Sequence, residues 1–251
     1  MHNRPVLRNW PRRMHIPPWP LTQNRLAWIR GQQRVAKEFR PGSAEANGHI
    51  EPSQCALVAL DLEPEVTDTL DHSESLISNV NSAIGVVRRY GGHICFVRTA
   101  FDDLDYRFVP STSREFSVVA RERRLQNGAL ATGLHPGLAT DPEDTVVRKT
   151  RLGAFSTTDL DERLTNLGIT TLILAGAHTS GAILSTVREA ADRDYRVLVL
   201  SDCVLDRDRD LHHLVLDRIL PRQAEIVTAS DLHSCLTSSP LYNGTGSLPG
   251  T

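Results

Sequence analysis

Asp61, Lys149 and the stretch around His178 are the places where residue type and position could support chemistry. Asp61 closes the apolar run CALVALDL (55–62). A carboxylate at the end of a buried strand is costly unless it is paired or hydrogen-bonded. That makes it a candidate general acid or base; an N-cap or loop carboxylate is the plainer alternative. Lys149 ends the short run DTVVRK (144–149). An ammonium beside Asp61 would keep the carboxylate ionised or orient a substrate. A strand-end lysine taken alone is more often a solvated surface residue. In GAHTSGAILSTVREA (176–190) a strand ends at Gly176, the chain turns, and a helix begins near Gly181. A helix start presents free N–H groups and partial positive charge, which suits an anion site or an oxyanion hole. A cysteine there would be an acidic thiol, but the residue is Ala182, which cannot attack. The plain alternative is a strand–turn–helix of the kind every doubly wound fold contains.

Regularly alternating elements have to position these groups. Residues 55–62, 93–101, 170–177 and 196–203 read as strands, the first and third buried on both faces. A further short strand is expected at 144–149, and EIVTASDL (225–232) is expected to close the sheet. Helices are expected at 73–92, 113–125, 157–168, 180–195 and 209–222, the last broken by Pro221, and 102–112 reads as a loop. Strands alternating with helices indicate βαβ units. The expected fold is α/β, a doubly wound, mainly parallel six-stranded sheet with helices on both faces. In such sheets ligands bind beyond the carboxyl ends of the strands, where Asp61, Lys149, His178, Thr179 and Asp202 fall. This domain is expected to span 54–235. Residues 1–53 read as a basic arm with Trp10, Trp19, Trp28 and the prolines Pro5, Pro11, Pro17, Pro18, Pro20 and Pro41 among its residues, in which 21–39 could form a helix. Residues 236–251 read as a tail.

Composition narrows the function classes. The 251 residues carry a formal net charge of −2, so a whole-chain nucleic-acid or membrane-surface footprint is not expected. No run of about 18 apolar residues is present, so no membrane-spanning helix is expected. Arginines and prolines interrupt the N-terminus, which does not read as a secretion signal. Cys55, Cys95 and Cys203 lie in or beside apolar runs without metal spacing. They read as buried reduced thiols, which points to the cytoplasm.

VALDLE (58–63), KTRLGAFSTTDL (149–160) and LILAGAHTSGAILSTVREAADRDYRVLVLSDC (172–203) together resemble the isochorismatase-like, or cysteine hydrolase, superfamily in order, spacing and strand context. The likeness runs from about residue 55 to 230. It implies an Asp–Lys–Cys triad that falls on Asp61, Lys149 and Ala182. It further implies a cis peptide between Ala177 and His178. An oxyanion hole is implied in the turn of Ala177, His178 and Gly181, formed by the N–H groups of His178 and Ala182. Phe155 becomes a pocket-wall residue, and an oligomer, a homodimer or homotetramer, is expected from the resemblance alone. Glu63, Arg98 and Thr179 join the substrate-binding candidates, Arg98 with a structural role as the stronger alternative. The side chain of His178 either lines the pocket or serves only through its backbone.

Three departures matter. The thiol is missing at Ala182, so the acyl- or carbamoyl-enzyme route is closed. Members of the superfamily that cleave a vinyl ether also lack the thiol and protonate carbon from the aspartic acid. Glu63 stands where many relatives have Gln or Asn, and if aimed into the pocket it would favour a protonated Asp61. Finally, TAFDDLDYRF (99–108) has Asp102, Asp103 and Asp105 but no histidine, so no functional zinc and no cofactor is expected. His212 and His213 read as surface or interface residues, and Cys203 as a weak candidate for a relocated nucleophile. Three readings stay open. The first is a small-molecule hydrolase acting without a thiol, through Asp61 and Lys149. The second is an amide, ureido or carbamoyl hydrolase present as a Cys-to-Ala inactive form. The third is a non-catalytic binding or scaffold protein.

Overall fold

The computed structural model describes residues 49–237. The basic arm with its expected helix, apart from 49–53, and the tail beyond 237 lie outside the described residues. Among these residues six strands form one sheet: β1 (Cys55–Leu60), β2 (His93–Thr99), β3 (Thr145–Lys149), β4 (Thr171–Ala177), β5 (Arg196–Leu205) and β6 (Glu225–Val227). Their order is β3-β2-β1-β4-β5-β6, and every pairing is parallel. From β1 the chain first builds outward through β2 and β3. It then returns to the other side of β1 for β4, β5 and β6. The direction of winding therefore reverses between β1 and β4, where a crevice opens beyond the strand ends.

Among the described residues there are eight helices: α1 (Pro64–Thr67), α2 (Ser73–Arg89), α3 (Asp103–Phe108), α4 (Phe116–Glu122), α5 (Leu160–Asn166), α6 (Leu184–Ala191), α7 (Arg209–Leu214) and α8 (Ala229–Thr237). The two sheet faces are read off alternate residues, because strand side chains have a period of two. Leu57, Ala59, Phe96, Ile173 and Leu198 pack under α2 and α8. Ala56, Val58, Leu60, Val97, Leu172 and Leu174 pack under α5 and α6. Every residue of β1 and β4 is buried, as continuous apolar runs between two helical layers require.

Four expectations need correction. The 102–112 segment holds α3, whose start is closed by a reciprocal capping box between Asp102 and Asp105. The 225–232 strand stops at Val227. Thr228 and Asp231 then cap α8, with the Thr228 N–H donating to Asp231 at 2.9 Å. The helix expected at 180–195 opens with a π-turn over Thr179–Ile183 before α6. The helix expected at 209–222 gives way after α7 to a π-turn over Val215–Ile219 and a 3₁₀ turn containing Pro221.

Candidate active site

Asp61, Thr99 and Lys149 meet at the carboxyl ends of three adjacent strands. The strand order puts β2 between β1 and β3, and its last residue, Thr99, is paired with Lys149. Lys149 Nζ donates to Asp61 Oδ2 at 2.7 Å and to Thr99 Oγ1 at 2.7 Å. Thr99 in turn donates its hydroxyl proton to Asp61 Oδ1 at 2.8 Å. The third ammonium proton goes to the Arg151 carbonyl at 3.1 Å. An ammonium has three donors, so the substrate-orienting role considered for Lys149 is not available in this geometry. Lys149 is 1% exposed and acts downward, on Asp61. Thr99 was not among the sequence candidates. No sequence signal marked it, because the strand was expected to run on to Phe101, whereas it ends at Thr99, and the strand order is set by the fold.

Glu63 lies behind this cluster, fully buried. Its Oε1 accepts the Thr99 N–H at 3.0 Å, while Oε2 has no hydrogen-bond partner. Burial first, and the charge of Asp61 second, push its carboxyl up to about 8; Lys149 and the Thr99 N–H act against this. Glu63 is not in the cavity wall, so the substrate-binding role is corrected. The carboxyl favoured in its protonated form is Glu63 itself.

The second half of the site is the turn after β4. Gly176 sits at φ +117°, and the Ala177–His178 peptide bond is cis. The His178 carbonyl accepts the N–H groups of Gly181 (3.0 Å) and Ile183 (3.2 Å). Asp206 Oδ2 accepts both the N–H and the hydroxyl of Ser180, each at 2.7 Å. Burial works to raise the Asp206 carboxyl, but the Ser180 donations outweigh it and hold the group below the usual carboxylate range. The Gly181 amide is thus spent on closing the turn, and the oxyanion donors expected there, the N–H groups of His178 and Ala182, are not touched by this contact.

Asp61, Thr99, His178, Ser180 and Ala182 line one cavity of about 620 Å³, whose apolar wall includes Phe116 and Leu152. Three expected wall residues lie elsewhere. Phe155 stacks on Tyr195 at 5.9 Å under the Arg193 guanidinium. Thr179 is fully buried, with its hydroxyl 2.8 Å from His212 Nδ1. His212 is therefore a turn anchor rather than a surface residue, whereas His213 is exposed. Arg98 points away from Thr99 by strand alternation. It donates to Asn127 Oδ1 at 2.8 Å and to the Thr132 carbonyl at 3.0 Å. It borders a separate, larger hollow of about 700 Å³, in which it is the one ionisable side chain among the described residues. The smaller cavity is the one that holds the candidate residues Asp61, Thr99, His178 and Ala182.

All four cysteines are free and buried. Burial pushes the Cys55 and Cys95 thiols up to about 12 and raises Cys203 further, with Asp202 adding to the effect. Cys203 packs in the core on the α2 side of the sheet, whereas Ala182 packs on the α6 side, so it is not a relocated nucleophile. Among the described residues no group of three or more His, Cys, Asp or Glu is arranged to hold a metal. Asp105 and Asp102 pair with Arg148 at 2.5 and 3.2 Å, and Asp103 pairs with Arg123. No helix among the described residues is long and apolar enough to cross a membrane.

Residues 55–231 match the family model described as the isochorismatase domain. The chain is 29% identical over 174 residues to an uncharacterized isochorismatase family protein of Bacillus subtilis, covering 69% of this chain and 89% of that one. It is 33% identical over 94 residues to the maleamate amidohydrolase of Pseudomonas putida, which covers 38% of this chain and 44% of that enzyme. The fold superposes on an isochorismatase family protein from Burkholderia thailandensis with a TM-score of 0.64 and 27% identity, over 76% of this chain and 99% of the other. With a parallel α/β sheet, a crevice at its switch point and a family match across the whole sheet, this chain belongs to the isochorismatase-like superfamily of hydrolases.

Proposed function

We propose that this protein hydrolyses a small molecule without a thiol nucleophile, with water attacking and Asp61 moving the proton. The observation that carries the reading is the Asp61–Thr99–Lys149 cluster, held by contacts of 2.7–2.8 Å, with Asp61 and Thr99 lining the same cavity as Ala182. A side chain at position 182 cannot attack, so the nucleophile has to come from solvent. Asp61 accepts one hydrogen bond on each oxygen, the pattern of a carboxylate, and its remaining lone pairs can take a proton from water. Attack on a carbonyl carbon forms the new C–O bond and places negative charge on the carbonyl oxygen. The N–H groups of His178 and Ala182 are the turn donors we assign to that oxygen. Breakdown of the adduct breaks the bond to the leaving group, which takes the proton back from Asp61. Water first and proton second is the order of amide or ureido hydrolysis. Cleavage of an enol ether of the isochorismate kind needs the reverse order, with Asp61 starting as the acid.

Two assays test the reading. Ammonia release from maleamate and pyruvate release from isochorismate are measured for the wild type and for Asp61→Asn. Turnover of either substrate that falls about 10²–10⁴-fold in the variant is the expected result. Turnover indifferent to Asp61 overturns it. The partial match to an amidohydrolase favours a second reading, a thiol amidase with its nucleophile replaced. That reading requires wild type to be inert and Ala182→Cys to release ammonia. A protein inert in both forms that still binds neither compound supports the non-catalytic alternative.

A further inference from the structure

His178 has a ring nitrogen, Nε2, that is buried and has no hydrogen-bond partner. The residue as a whole is only partly buried, and it forms part of the cavity wall beside Asp61 and Ala182. Its backbone carbonyl is already committed, taking the Gly181 and Ile183 amides. A buried donor without an acceptor is rarer and costlier than an under-used buried acceptor. A neutral imidazole carries a single N–H. The tautomer that avoids an orphaned donor puts that proton on Nδ1 and leaves the Nε2 lone pair buried. The imidazolium would place an N–H on both nitrogens and cannot avoid the penalty. The charged groups around the ring do not reverse this. Burial lowers the affinity of the ring for a second proton and Arg207 adds to it, against Asp206, Asp61 and Glu115, which act the other way.

We propose that His178 is a substrate-binding residue, a neutral donor whose Nδ1–H holds a carbonyl or carboxylate oxygen of the substrate in the cavity beside Ala182. The inference rests on the reading of that cavity as the reaction site and adds to it a side-chain determinant of what binds. It selects ligands that carry an acceptor oxygen at the turn.

The tautomer can be read without any ligand. In the full-length protein labelled with ¹⁵N in its histidine rings, and with His178→Gln to assign the signal, His178 is expected to be neutral and protonated on Nδ1 at pH 7. An Nε2–H tautomer, or an imidazolium at that pH, overturns the proposal. Maleamate is then titrated into the same sample and into variants followed by calorimetry. The Nδ1 proton signal is expected to move. His178→Ala should weaken binding about tenfold, the loss of one hydrogen bond. His178→Asn, whose side-chain N–H lies close to the position of Nδ1, should recover most of the loss. An unmoved signal, or equal affinity of wild type and His178→Ala, overturns the assignment. Neither readout depends on turnover, so absence of hydrolysis with both readouts positive counts against the proposed reaction and not against this residue.

Discussion

Lys149 and Asp61 lie 88 residues apart in the chain and meet at 2.7 Å, Nζ to Oδ2, beneath the floor of the cavity. The ammonium side chain is 1% exposed and the carboxylate side chain 10%. Three acceptors exhaust the ammonium. The arrangement fixes one carboxylate in place and leaves Lys149 no donor for a ligand.

Removing one partner of such a pair leaves the other as an uncompensated charge in a dry site. Lys149→Met is therefore expected to cost about 3–5 kcal/mol of stability, read from urea denaturation. The double variant Lys149→Met, Asp61→Asn should lose less than the two single losses added together, because the orphaned charge is gone as well. Additive losses would mean that the pair is not energetically coupled.

Thr99 joins both ions through one hydroxyl, accepting from Lys149 and donating to Asp61. Thr99→Val keeps the shape and removes both contacts, which is expected to cost about 1–3 kcal/mol. Thr99→Ser keeps the hydroxyl and should remain near wild type in stability. Equal stability of the Val and Ser variants would assign Thr99 no part in holding the cluster.

Glu63 introduces a pH dependence of defined sign. Its folded-state carboxyl holds a proton up to about 8, because of burial first and Asp61 second, against an ordinary value of 4.5. Between these values the folded chain binds more protons than the unfolded one, so this group makes stability fall as pH rises. Its contribution is whole below about 4.5 and lost as pH passes through 8. Glu63→Gln cannot titrate. Its melting temperature relative to wild type should therefore climb across that window and be the higher of the two at pH 9. A difference that stays constant with pH would show that Glu63 does not change its proton count on folding.

Gly176 lies where β4 loses its register with β5, at φ +117°. A Cβ there would run into the Leu60 backbone. Gly176→Ala combines a left-handed backbone, which costs a non-glycine residue about 1–2 kcal/mol, with that collision. It should destabilise far more than Gly181→Ala, whose Cβ would meet nothing closer than 3.7 Å. Thermal melting of the two variants compares them, and similar losses would contradict the close approach of β4 to β1.

Much of this molecule is determined by the sequence itself. Continuous apolar runs at β1 and β4, separated by helical periodicity, require strands buried between two helical layers, and right-handed crossovers then make the sheet parallel. Asp61, Lys149 and the turn at His178 stand out because each interrupts or ends such a run. These are local signals, set by spacing of two or 3.6 residues along one segment. The capping box at Asp102 and the T-x-x-D cap at Thr228 were local as well, and they explain why α3 and α8 exist where a loop and a strand were expected.

What the tertiary structure decided is which side chains face one another. Arg98 and Thr99 are adjacent, and both end β2. Strand alternation sends Thr99 between Asp61 and Lys149 and Arg98 to a different hollow. Phe155 and Thr179 stand beside site residues in sequence yet pack against Tyr195 and His212. The saturation of Lys149 depends on three acceptors from three separate segments. The raised carboxyl of Glu63 depends on burial that only the assembled core supplies. Orientation and desolvation are sums over non-local neighbours, so they become defined only when the sheet has closed over them.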